Sequence, residues 1–115
     1  MTVGIRSRSA LIRNYREQIT ANMSDALDGL LIVFNNQRDD EIATNSTHHK
    51  NRVGFNKADA NILSVVAKSY MDGKELDDTQ YIEVKKRMPK YARQIVKTKI
   101  KSGKYVKQGG VYLSV

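Results

Sequence analysis

Apolar residues recur at intervals of three and four along most of this sequence, and that spacing constrains the fold more than any other feature. Leu11, Ile12, Tyr15 and Ile19 share one face of a first predicted helix that begins at Ser9, with Arg13 and Arg16 off that face. Ser24 is placed to cap a second helix over roughly 24–43, with Asp25 in the first turn where the helix dipole favours acids. Its apolar face is Ala26, Leu27, Leu30, Leu31 and Phe34. Residues 44–56, rich in Asn, Ser, Thr and Gly, read as a loop. Asn56 then caps a third helix, with Asp59 near its start and Phe55 placed to staple against Ala60. Ile62, Leu63, Val66, Ala67 and Tyr70 form its core face, and Asp72-Gly73 ends it.

Asp77 and Gln80 have the spacing of a capping box for a fourth segment. There Tyr81, Val84, Met88, Tyr91, Ala92 and Ile95 fall on one helical face. Lys86, Arg87, Lys90, Arg93, Lys97 and Lys101 fall on the opposite one. Pro89, the single proline, removes the donor for the Lys85 carbonyl, so the segment either kinks or divides into two helices. Division is the reading favoured here. Beyond Gly103, Tyr105-Val106, the Gln108-Gly109-Gly110 turn and Val111-Tyr112-Leu113 read as a β-hairpin. The predicted fold is therefore mainly α, with four or five helices and a short C-terminal β-hairpin. A winged-helix-like form is the variant considered. Residues 1–8 form a basic N-terminal arm, 9–101 the helical domain and 102–115 the hairpin.

Charge separates along the chain far more sharply than its overall +8 suggests. Residues 1–20 carry a net +3 and residues 21–80 a net −4. Residues 81–115 hold ten bases against Glu83 alone. Such asymmetry is the electrostatic footprint of a polyanion-binding surface, although a single charged helix face more often serves only solubility. The candidate nucleic-acid contacts are Lys86, Arg87, Lys90, Arg93, Lys97 and Lys101, joined by Lys104, Tyr105 and Lys107 of the hairpin region. Tyr105 and Tyr112 are read either as stacking platforms for single strands or as core residues.

Catalytic chemistry finds little support in these residues. Cysteine is absent, which excludes disulfides and thiolate ligands. Gln37, Asp39, Asp40, Glu41, His48 and His49 cluster in sequence, but neither the adjacent acids nor the neighbouring histidines have ligand spacing. Their predicted role is hydrogen bonding that pins the loop. No serine sits in a nucleophile elbow, and no glycine loop is built to cradle phosphate. No cofactor, metal or enzymatic activity is expected. No apolar run reaches the ~20 residues of a membrane span, and the first residues do not read as a secretory signal, so a cytoplasmic location is expected.

Several short elements together form a recognisable pattern. Asn36-Gln37, Asp40-Glu41, Thr47-His48, Asn51, Val53-Gly54-Phe55-Asn56, Asp59-Ala60, Gly73-Lys74, Leu76 and Lys90-Tyr91-Ala92-Arg93-Gln94 span about half the chain. Its most specific parts are Gly-Phe-Asn-x-x-Asp (Gly54 to Asp59) and Lys-Tyr-Ala-x-Gln (Lys90 to Gln94). This pattern resembles a small domain of phage and mobile-element proteins, found alone or appended to helicase-like DNA-processing proteins. Met88-Pro89 departs from it, since basic and aliphatic residues are associated with that position. The resemblance implies an accessory role in DNA transactions inside a bacterial host cell and carries over no catalytic residue. The leading expectation is a phage-encoded accessory protein that contacts DNA phosphates. The alternative is a small phage protein that binds and inhibits or redirects a host protein.

Overall fold

The computed structural model describes residues 7–44 and 54–114, apart from the side chains of 39–44, 107, 113 and 114. The predicted arm, apart from its last two residues, and most of the 44–56 loop lie outside the described residues. The protein is mainly helical: α1 (Arg8–Ala21), α2 (Met23–Thr44), α3 (Lys57–Met71), α4 (Asp78–Arg87) and α5 (Ala92–Lys101). A 3-10 turn (Met88–Tyr91) joins α4 to α5, and the hairpin strands β1 (Tyr105–Gln108) and β2 (Val111–Ser114) close the chain. Central to the packing is α2, which touches α1, α3, α4, the 3-10 turn and α5.

Local chemistry explains most of the boundaries. The Ser7 hydroxyl accepts from the Ala10 N–H at 3.0 Å, so α1 starts at Arg8, a residue assigned above to the arm. Asn22, rather than Ser24, divides α1 from α2. Its carbonyl accepts from the Ala26 N–H at 3.1 Å and its Oδ1 from the Ser24 N–H at 3.0 Å. Asp77 and Gln80 form the reciprocal capping box at 2.8 and 3.0 Å. Asn56 caps α3 as predicted, its Oδ1 accepting from the Asp59 N–H at 2.9 Å. Asn56→Ala is expected to lower stability by about 1 kcal/mol in urea unfolding, the usual loss of a cap.

The hairpin pairs antiparallel with Gln108 opposite Val111. Gly109 and Gly110 between them have φ of 58° and 81°. Two successive positive φ values make the turn that matches strand twist, and glycine adopts them without strain.

The core gathers the predicted faces with three changes. Val33 is fully buried where Leu31 is only half-buried. Ile62 is exposed, because the buried stripe of α3 runs through Asp59, Leu63, Val66 and Ala67. Tyr81 is also exposed, in the first turn of α4, one turn before the buried Val84. Val84, Met88, Tyr91, Ala92 and Ile95 are buried as expected, with Val96 beside them. Among the described residues no helix is long and apolar enough to cross a membrane.

Candidate nucleic-acid interface

The six cations assigned to one helical stripe divide by partner: Arg87 and Lys90, on either side of Pro89, bond to Asp59, and the other four do not. Lys86, Arg93, Lys97 and Lys101 are exposed, as is Lys104 just before the hairpin. Arg93, Lys97 and Lys101 recur every fourth residue on α5, a row about 12 Å long at 1.5 Å per residue. Arg87 and Lys90 reach Asp59, with Lys90 still exposed and Arg87 half-buried. The Lys107 side chain lies outside the described residues.

Asp59 is an acid with no exposed surface, on the core side of α3. A buried carboxylate is tolerable only when paired and hydrogen-bonded. Arg87 Nη1 donates to Oδ1 at 2.6 Å, while Lys90 Nζ and the Tyr91 hydroxyl donate to Oδ2 at 2.9 and 2.6 Å. Arg87 also pairs with Glu83 one turn back on α4. Burial pushes the Asp59 pKa up, but the bonds from Tyr91, Lys90 and Arg87 outweigh it and hold the carboxyl below the ordinary carboxylate value. Burial, and then the bond to Asp59, keep the Tyr91 phenol protonated well above its usual range.

The same network clasps the backbone entering α3. The Gly54 N–H donates to Gln94 Oε1 at 2.9 Å, and Gln94 Nε2 donates to the Gly54 carbonyl at 3.1 Å. Phe55 N–H donates to Gln37 Oε1 at 3.2 Å, and Asn56 N–H donates to Tyr91 Oη at 2.9 Å. Asn36 Nδ2 braces the clasp by donating to Thr98 Oγ1 at 2.8 Å and to Gln94 Oε1 at 3.3 Å. Gly54 has φ of +87°, and a Cβ there would lie 2.7 Å from Gln37 Cβ, so no side chain fits.

Thus the two most specific parts of the sequence pattern, Gly54 to Asp59 and Lys90 to Gln94, meet in space and hold each other. Gln37, from the polar cluster of the sequence reading, pins this segment. The side chains of Asp39, Asp40 and Glu41, and all of His48 and His49, lie outside the described residues.

The tyrosines of the hairpin face inward. Tyr105 and Tyr112 are half-buried and pack against the core. Lys99, absent from the candidate contacts, lies with its ammonium 4.6 Å from the Tyr15 ring centroid and 5.7 Å from that of Tyr105. Desolvation lowers its pKa below the ordinary lysine value. The signal was available: Lys99 follows Ile95 by four residues and Val96 by three, which places it on the buried face of α5. Compared with protein families, curated proteins and solved structures, the chain matches none.

Proposed function

We propose that this is a nucleic-acid-binding accessory protein without catalytic activity, of the phage or mobile-element kind, working in the cytoplasm of a bacterial host. The observation that carries the reading is the α5 row. Arg93, Lys97 and Lys101 are exposed on one helix, and no acid follows Glu83 in the sequence. Cations so placed displace counterions from phosphates and provide affinity without reading sequence. DNA is the favoured ligand, on the resemblance of the Gly54–Asp59 and Lys90–Gln94 pattern to domains of DNA-processing proteins.

Fluorescence-anisotropy titrations of labelled DNA across a salt series test it. Affinity is expected to fall log-linearly with salt, and changing Arg93, Lys97 and Lys101 together to Gln should lower the slope by about 2 to 2.7. Failure of every oligonucleotide to bind at low salt overturns the reading. It would then favour the second one, a protein that docks on another protein. That reading draws on the exposed apolar side chains Ile62, Val65 and Met71 of α3 and Tyr81 and Ile82 of α4.

A further inference from the structure

Two helices, rather than one, carry the outward cations. α1 packs along α5 and against the 3-10 turn. Arg16 Nε donates to the Pro89 carbonyl at 3.2 Å, which anchors this exposed guanidinium where the chain enters α5 and leaves its Nη groups for a phosphate. Arg13 is exposed one turn before it on α1. Among the described residues none of Arg13, Arg16, Arg93, Lys97 and Lys101 forms an ion pair.

Strandedness follows from what accompanies the cations. Sites for single strands pair a basic groove with accessible aromatic rings on which bases stack. Here Tyr91 is buried, Tyr105 and Tyr112 pack on the core, and the Tyr105 ring is already faced by Lys99. The exposed aromatic among the described residues is Tyr81, on α4. α1 packs on α5, and the axes of packed helices lie about 8–10 Å apart. A duplex offers phosphates on both sides of a groove, the minor one being about 6 Å wide.

On the reading that the basic face binds nucleic acid, we infer that its ligand is double-stranded and that Arg13 and Arg16 contact one phosphate backbone while Arg93, Lys97 and Lys101 contact the other. The contacts are to phosphate, with no base stacking.

The test titrates a labelled 20-base-pair duplex and its separated strands with the wild-type protein, Arg13→Gln/Arg16→Gln and Arg13→Lys/Arg16→Lys. The duplex should bind about tenfold more tightly than either strand, and the Gln pair should lower its salt slope by about 1.8. The Lys pair retains both charges and should keep the wild-type slope, which separates lost phosphate contact from the lost bond to Pro89. Equal or tighter binding of single strands overturns the duplex assignment while leaving the basic face standing. A wild-type slope in the Gln pair removes α1 from the interface. No binding of any oligonucleotide by the wild-type protein overturns this inference and the proposed function together.

Discussion

Asp59→Ala is expected to destabilise the protein by about 3 kcal/mol, read from urea unfolding at neutral pH. Removing one partner of a buried charged cluster typically costs about 3–5 kcal/mol, because the remaining charges stay desolvated. The lower end applies here because Arg87 and Lys90 keep 22% and 47% of their side-chain surface exposed and can rehydrate. The Tyr91 hydroxyl would lose its acceptor, and the link that holds the Asn56 N–H would loosen with it. A second variant separates charge from shape. Asp59→Asn keeps the hydrogen-bonding outline but not the charge, and should change how stability responds to acid. The folded pKa of Asp59 lies below its ordinary value, so its contribution is full only well above the ordinary carboxylate value and is lost as pH falls through the folded pKa. Wild-type stability should therefore decline as the pH is taken below the ordinary carboxylate value, and Asp59→Asn should remove part of that decline. An identical acid response in both proteins would show that the carboxylate contributes nothing through its charge.

The helices and hairpin were legible in the sequence because their determinants are local. Asn56 and Asp59, or Asp77 and Gln80, are three residues apart, and their spacing states the bond directly. Gly109-Gly110 names its turn in the same way. The Asp59 network depends on residues 28 to 32 positions away, a separation that no helical period encodes. One signal was present. Asp59 precedes Leu63 by four residues and Val66 by seven, so it shares the core face of α3 and must find cations there. Arg87 and Lys90 are such cations, yet a single helical period run through Pro89 placed both on the face opposite the core, and only Lys90 is exposed. The division favoured at Pro89 is what the structure has: α4 stops at Arg87, and the 3-10 turn carries Lys90 and Tyr91 to where their side chains reach Asp59. Five of the six cations, Lys86, Lys90, Arg93, Lys97 and Lys101, do sit on the surface as periodicity indicated, although Lys90 also pairs with Asp59. Ile62 and Leu31 went astray because a helix face has flanks, and the neighbours that cover them are fixed by tertiary packing rather than by period.

Phe55→Ala is expected to cost about 3–5 kcal/mol, the usual effect of truncating a buried aromatic. The ring is 8% exposed and meets Tyr91 edge-on, with centroids 5.6 Å apart and planes at 81°. Such pairs contribute about 0.5–1.5 kcal/mol beyond area burial. The ring lies in a segment whose three consecutive N–H groups, on Gly54, Phe55 and Asn56, are all held by side chains of other elements. Losing the ring should therefore loosen the clasp as well as the core, and Phe55→Leu, which keeps much of the apolar volume, should cost less. Thermal and urea melts of both variants measure this, and anisotropy at a temperature where each remains folded measures binding. If the clasp is structural, oligonucleotide affinity per folded molecule stays at the wild-type value while stability falls. Unchanged stability with lost affinity would instead make Phe55 a stacking platform. The functional surface would then move from α5 to the start of α3, and the pattern shared by Gly54–Asp59 and Lys90–Gln94 would describe a ligand site rather than a clasp.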